Sequence, residues 1–146
     1  YGLPRVNESG TLLEGIALWG ELKPLLTHEA VKERALRYCD WAVSMGLLAI
    51  RTHVDICDDR LLAVEALLDV KKQVAPYIDL QLVAFPQDGL YRSPSAKQNT
   101  IRALDLGGLE VGAHDGALRA AGEAPDYRKR PCGAALGAKL RAAPSR

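Results

Sequence analysis

Three short apolar runs, at residues 47–55, 79–85 and 109–111, alternate with stretches of helical period, and this alternation fixes the class of fold. Strand, helix, strand in repeated order means βα units and a parallel sheet. The crossovers of such units are right-handed. A parallel sheet needs helices on its faces, so two or three strands cannot cover themselves. The pattern is stable when it continues into a doubly wound sheet or closes into an eight-stranded barrel.

The middle run is the sharpest. Asp79-Leu80-Gln81-Leu82-Val83-Ala84-Phe85 has the length and apolar content of a buried strand. Pro86 stops it, because proline has no N–H for the ladder. Gly89 supplies the freedom that a tight turn needs. Gln87 lies between them, at the carboxyl end of the strand, where parallel α/β proteins bind ligands. Its amide carries an acceptor and donors, so it can read a planar ring with the complementary pair. The alternative is a polar turn residue facing water.

The helices carry their own boundary signals. Thr11-Leu12-Leu13-Glu14 fits a capping box, with Glu14 reaching back to the Thr11 N–H, and predicts a helix to about Leu22 before Lys23-Pro24 ends it. Thr27 caps a longer helix whose apolar face is Val31, Ala35, Leu36, Cys39, Ala42 and Val43, with Gly46 as its stop. The strand after it reads as buried on both faces in its first half. Asp58 or Asp59 is the expected cap of the next helix, which buries Leu61, Val64, Leu67, Leu68, Val70 and Val74 and closes at Pro76. A further helix is predicted from about Ser95 to Leu106, ended by Gly107-Gly108.

Composition narrows the function classes. With 19 basic and 18 acidic side chains there is no electrostatic case for nucleic acid or an anionic membrane. No apolar run is long enough to span a bilayer. A start at Tyr1, without Met or a signal pattern, is what an internal part of a longer protein would show. Cys39, Cys57 and Cys132 form no disulfide pattern, and free thiols fit a reducing, cytoplasmic setting. Residues 112–146 contain no Val, Ile, Thr, Phe or Trp and are dominated by Ala, Gly, Arg and Pro. The expected division is therefore 1–111 as the folded part and 112–146 as a tail. The tail reads either as linker-like chain or as out-of-frame translation of a GC-rich gene.

His28 is expected to be exposed, and His114 lies in the tail. On a strand, His53, Asp55 and Cys57 would alternate onto one face, and all three are metal-ligand types. The alternative is structural. His53 would donate to a backbone carbonyl, Asp55 would cap a loop and Cys57 would pack as a small hydrophobe. There is no Gly-rich phosphate loop, no Gly-x-Ser-x-Gly elbow and no Cys-x-x-Cys pair.

Ser9-Gly10-Thr11-Leu12-Leu13-Glu14-Gly15-Ile16, Leu26-Thr27-His28, Arg51-Thr52-His53-Val54-Asp55 and the run from Val74 to Gly89 resemble, in order, the cytosine deaminase branch of the amidohydrolase superfamily. The resemblance runs from about Leu3 to Val111 and covers only an early part of such an enzyme. It implies about three βα units of a partial (β/α)8 TIM barrel. It implies hydrolytic deamination of cytosine or a related heterocycle, with one divalent metal, iron or zinc, activating a water. By the same resemblance Gln87 hydrogen-bonds the ring and Leu12 lines the pocket. Thr52, His53 and Asp55 support the site without holding the metal.

The family's His-x-His pair, later His, catalytic Glu and late Asp have no match in this chain. One base out of frame, the codons possible for Ala117-Leu118-Arg119-Ala120 could encode the His-Phe-Glu expected after residue 111. The expectation is a fragment that holds no catalytic residue and no metal, and is inactive alone. The complete enzyme would bind a small heterocycle and be a homo-oligomer. Two alternatives remain: a non-catalytic α/β binding module, and a sister deaminase acting on creatinine, isoguanine or a triazine.

Overall fold

The computed structural model describes residues 5–91 and 93–111. Helix α1 (Leu12–Leu22) runs into a 3-10 turn (Lys23–Leu25), and α2 (His28–Ser44) follows. Then come β1 (Ala49–Asp55), α3 (Leu62–Val74), β2 (Asp79–Phe85), α4 (Ala96–Asp105) and β3 (Leu109–Val111). The three strands form one parallel sheet in the order β1-β2-β3. Register is unbroken from Ala49 opposite Asp79 to Asp55 opposite Phe85, so the carboxyl ends of β1 and β2 are level. The fold is α/β, as the alternation requires.

Both threonine caps form: Thr11 accepts from the Glu14 N–H and Thr27 from the Ala30 N–H. The Glu14 half of the capping box differs from expectation. Its carboxylate passes Thr11 and accepts from the Glu8 and Ser9 N–H groups and from the Ser9 hydroxyl. Those bonds hold the Glu14 carboxyl below its ordinary pKa. Glu14 thus ties down the bend at Glu8-Ser9 that leads into α1.

The start of α3 is a second correction. Neither Asp58 nor Asp59 caps it. Leu61 holds the boundary position in the left-handed region, at φ 50°. Asp58 instead makes the preceding turn, accepting from Arg60 N at 3.1 Å while its carbonyl takes the Leu61 N–H at 2.9 Å. A left-handed leucine costs about 1–2 kcal/mol. Leu61 is 2% exposed, and burying its side chain returns about 2 kcal/mol, so the core holds it there.

The even-numbered side of the sheet carries the core. Val54, Leu80, Leu82 and Ala84 pack with Val64, Val70 and Val74 of α3 and with Cys39 and Ala42 of α2. Helix α3 lies on β1 and β2, and α4 on β2 and β3. Asn99 fastens α4 from within: it is buried and donates to the Ile56 carbonyl at 3.0 Å and to Asp59 Oδ1 at 2.8 Å. Strand β1 departs from expectation. Ala49 and Arg51 are exposed, Ile50 and Thr52 are half-buried, and Leu48 before it is 77% exposed. The reason is that β1 pairs on one edge only among the described residues. His28 is half-buried, with Nε2 3.4 Å from Asp69 Oδ2, rather than exposed. No helix of the described residues is long and apolar enough to cross a membrane. The expectations for residues 112–146, including His114 and Cys132, lie outside the described residues.

Candidate functional site

An open groove of about 1000 Å³ runs along the unpaired edge of β1, between that strand and helices α1 and α2. All five residues singled out from the sequence line it: Leu12, Thr52, His53, Asp55 and Gln87. Leu12, with Ile16 and Trp19, comes from one face of α1 at i, i+4, i+7. Thr52, His53 and Asp55 come from the last half of β1. Gln87 comes from the turn beyond β2.

That turn has the expected chemistry. The Gly89 N–H donates to the Pro86 carbonyl at 2.9 Å, and Gly89 sits at φ +94°. Gln87 is half-buried at its crest. Phe85, one residue before Pro86, meets the His53 ring edge-on, with centroids 5.3 Å apart and planes at 76°. His53 is therefore oriented by an aromatic contact.

Asp55 is the hub. Its side chain is 8% exposed. Oδ2 accepts from Trp19 Nε1 at 2.6 Å and from Lys23 Nζ at 3.3 Å, and Oδ1 accepts from the Cys57 N–H at 2.9 Å. Both oxygens are spoken for. Cys57 lies past the end of β1 in this Asx turn, so the His53, Asp55, Cys57 alternation is broken after Asp55. Burial raises the Cys57 thiol above its ordinary pKa, and the Asp55 and Asp88 carboxylates add to the rise. Among the described residues no three His, Cys, Asp or Glu side chains are grouped to hold a metal ion.

Lys23, Trp19 and Asp88 were not marked in the sequence. Lys23 Nζ also lies 3.5 Å from Asp88 Oδ2, and its side chain is 16% exposed. Burial alone would lower the Lys23 pKa, but the two carboxylates outweigh it and hold the ammonium above its ordinary value. The spacing of Trp19 from Leu12 and Ile16 was the available signal for the indole. Nothing local marks Lys23.

No protein-family model matches the chain. N-isopropylammelide isopropyl amidohydrolase of Pseudomonas sp. (strain ADP) is 36% identical over 94 residues, which is 64% of this chain and 23% of that protein. The crystal structure of 5-methylcytosine deaminase from Klebsiella pneumoniae liganded with 5-fluorocytosine superposes with a TM-score of 0.73 at 43% identity. That match covers 75% of this chain and 27% of the other. The same enzyme liganded with phosphonocytosine gives 0.72 with the same coverage.

The chain is kin to the amidohydrolase-superfamily deaminases. The names of these relatives make the kinship one to hydrolases of carbon–nitrogen bonds. The chain spans about a quarter of the length of the proteins it matches.

Proposed function

We propose that this chain is the ring-binding wall of a hydrolase that deaminates cytosine or a related nitrogen heterocycle. The observation that carries the reading is the convergence of Leu12, Thr52, His53, Asp55 and Gln87 on one groove that runs beside β1 and reaches the carboxyl ends of β1 and β2. Gln87 hydrogen-bonds the ring edge through its amide. Leu12 supplies an apolar wall. His53, held against Phe85, and Thr52 line the floor. Asp55 supports the site by fixing Trp19 and the turn after β1. Cytosine analogues occupy the Klebsiella enzyme and a triazine derivative is named for the Pseudomonas one. Those rings differ in the edge they show to Gln87, and one amide serves either.

On this reading residues 1–111 belong to about three βα units of a (β/α)8 barrel. The edge of β1 that is unpaired among the described residues supports this, as does the stripe of Tyr38 and Trp41 on α2 and Met45 at its end, exposed at 59%, 64% and 81%. Amidohydrolase deaminases are in general metal-dependent. The described residues do not fit a metal centre, since Asp55 is fully engaged and no ligand cluster forms. Their part is to bind and orient the ring, and the chain alone turns over nothing. The same exposed stripe is also what a non-catalytic binding module would present. That reading predicts a monomer that melts cooperatively.

The test is a hybrid in which residues 5–111 replace the matching segment of the Klebsiella deaminase. Deamination of cytosine or a triazine by the hybrid is the expected result. A folded, metal-loaded hybrid that neither binds nor deaminates any such ring overturns the proposal.

A further inference from the structure

The turn that carries Gln87 is built to be held from outside. Its backbone is tied by the Gly89 N–H to the Pro86 carbonyl and by the Ser93 N–H to the Gly89 carbonyl, and the Asp88 backbone also meets Cys57. Asp88, the residue after Gln87, reaches away from the turn to Lys23, in the 3-10 turn that follows α1. Lys23 at the same time meets Asp55 at the end of β1, where Trp19 also donates. One ammonium therefore joins three pieces that meet nowhere else in sequence: the α1 exit, the β1 end and the β2 turn.

We infer that Lys23 is a positioning residue for Gln87, fixing the turn so that the amide faces the groove. The inference rests on the ring-binding reading of Gln87 given above. Its energy in stability is small on the Asp88 side, because Asp88 is 40% exposed and half-exposed ion pairs contribute little. Its effect is geometric. Without the cation, the Asp55 and Asp88 carboxylates face each other across the space it fills, and like charges drive the turn outward. Asp58 also senses the Lys23 charge, after that of its own partner Arg60. An arginine keeps the charge. A methionine keeps the stem and loses the charge.

The test has two readouts. In the 146-residue chain, Lys23→Met should shift the Gln87 side-chain amide and Gly89 backbone signals in ¹H–¹⁵N spectra, leave α4 signals in place, and be reversed by Lys23→Arg. Asp88→Asn should shift the same turn signals while leaving the Trp19 indole N–H signal unmoved. It keeps the test decisive if Lys23→Met does not fold. Unmoved Gln87 and Gly89 signals in the folded variants overturn the inference. In the hybrid deaminase, Lys23→Met should raise KM about tenfold with kcat within about threefold, the pattern of lost ground-state binding. An unchanged KM also overturns it. A parent hybrid that is itself inactive speaks against the ring-binding reading, while the spectra still decide what Lys23 does to the turn.

Discussion

The indole N–H of Trp19 donates to Asp55 Oδ2 across 2.6 Å, and this contact joins helix α1 to the end of β1 over 36 residues of chain. No comparable contact is needed for helix α1 to form, since Thr11 and Glu14 already organise its start. What the indole does is fix where the helix lies, and with it Leu12 and Ile16 on the groove wall.

Removing that donor should loosen α1 without unfolding the sheet. Trp19→Phe keeps most of the ring and loses the N–H, for a cost of about 1–2 kcal/mol. Asp55→Ala strips Trp19, Lys23 and the Cys57 N–H of their acceptor together and should cost about 3 kcal/mol. Urea unfolding of both variants checks the order.

Asn99 fastens α4 to the segment that follows β1. Asn99→Leu leaves the buried Ile56 carbonyl without its donor and should cost about 2 kcal/mol. Hydrogen exchange should then rise first in α4 and in the 56–60 segment, where the lost bonds lie.

Acid should weaken the entry to α3. Arg60 holds the Asp58 carboxyl below its ordinary value of 3.8, and burial opposes this only in part. A depressed carboxyl contributes stability that is fully present above its unfolded pKa and is lost as pH falls through the folded one. The loss from Asp58 therefore sets in below about pH 4. Arg60 also donates to the Lys23 carbonyl at 2.8 Å, so the 3-10 turn should loosen in the same range. Arg60→Ala should flatten this limb of a melting-temperature profile, and an unchanged limb would remove Arg60 as its cause.

At Gly108 an added side chain would meet both an unfavourable backbone conformation and a crowded neighbour. Gly108 sits at φ +76°, and a Cβ there would meet Leu68 Cδ2 at 2.9 Å. Gly108→Ala should cost about 1–2 kcal/mol for the left-handed residue. Gly107→Ala, at φ +77° with open space, should cost only the backbone part. Comparing the two isolates the Leu68 contact, whose flexible end can give way.

The stripe on α2 predicts association. Tyr38, Trp41 and Met45 recur at helical spacing and are exposed, which is unusual for a chain that stands alone. The chain should self-associate in sedimentation at micromolar concentration, and Trp41→Glu should reduce it. A monomeric parent would favour the self-sufficient binding module.

Elements whose causes are local could be read from the sequence. The bounds of β2 follow from its apolar run and Pro86, and the caps at Thr11 and Thr27 follow from side-chain chemistry within a turn. The α3 start was not legible, because Asp58 and Asp59 look like caps and only burial of Leu61 explains the left-handed leucine. Nor was the exposure of β1, which pairs on one edge only among the described residues. For the site, residue types and strand ends pointed to Gln87, His53 and Asp55. The Lys23 bridge was invisible, since it joins residues 32 and more positions apart that only the tertiary fold brings together.

The most direct measurement is the KM of the hybrid deaminase for cytosine with Gln87 and with Gln87→Leu. If the amide reads the ring, the leucine variant raises KM by about tenfold to a hundredfold while its melting temperature stays near the parent's. An unchanged KM in a folded Gln87→Leu hybrid would contradict the account, because the turn after β2 would then hold no ligand contact.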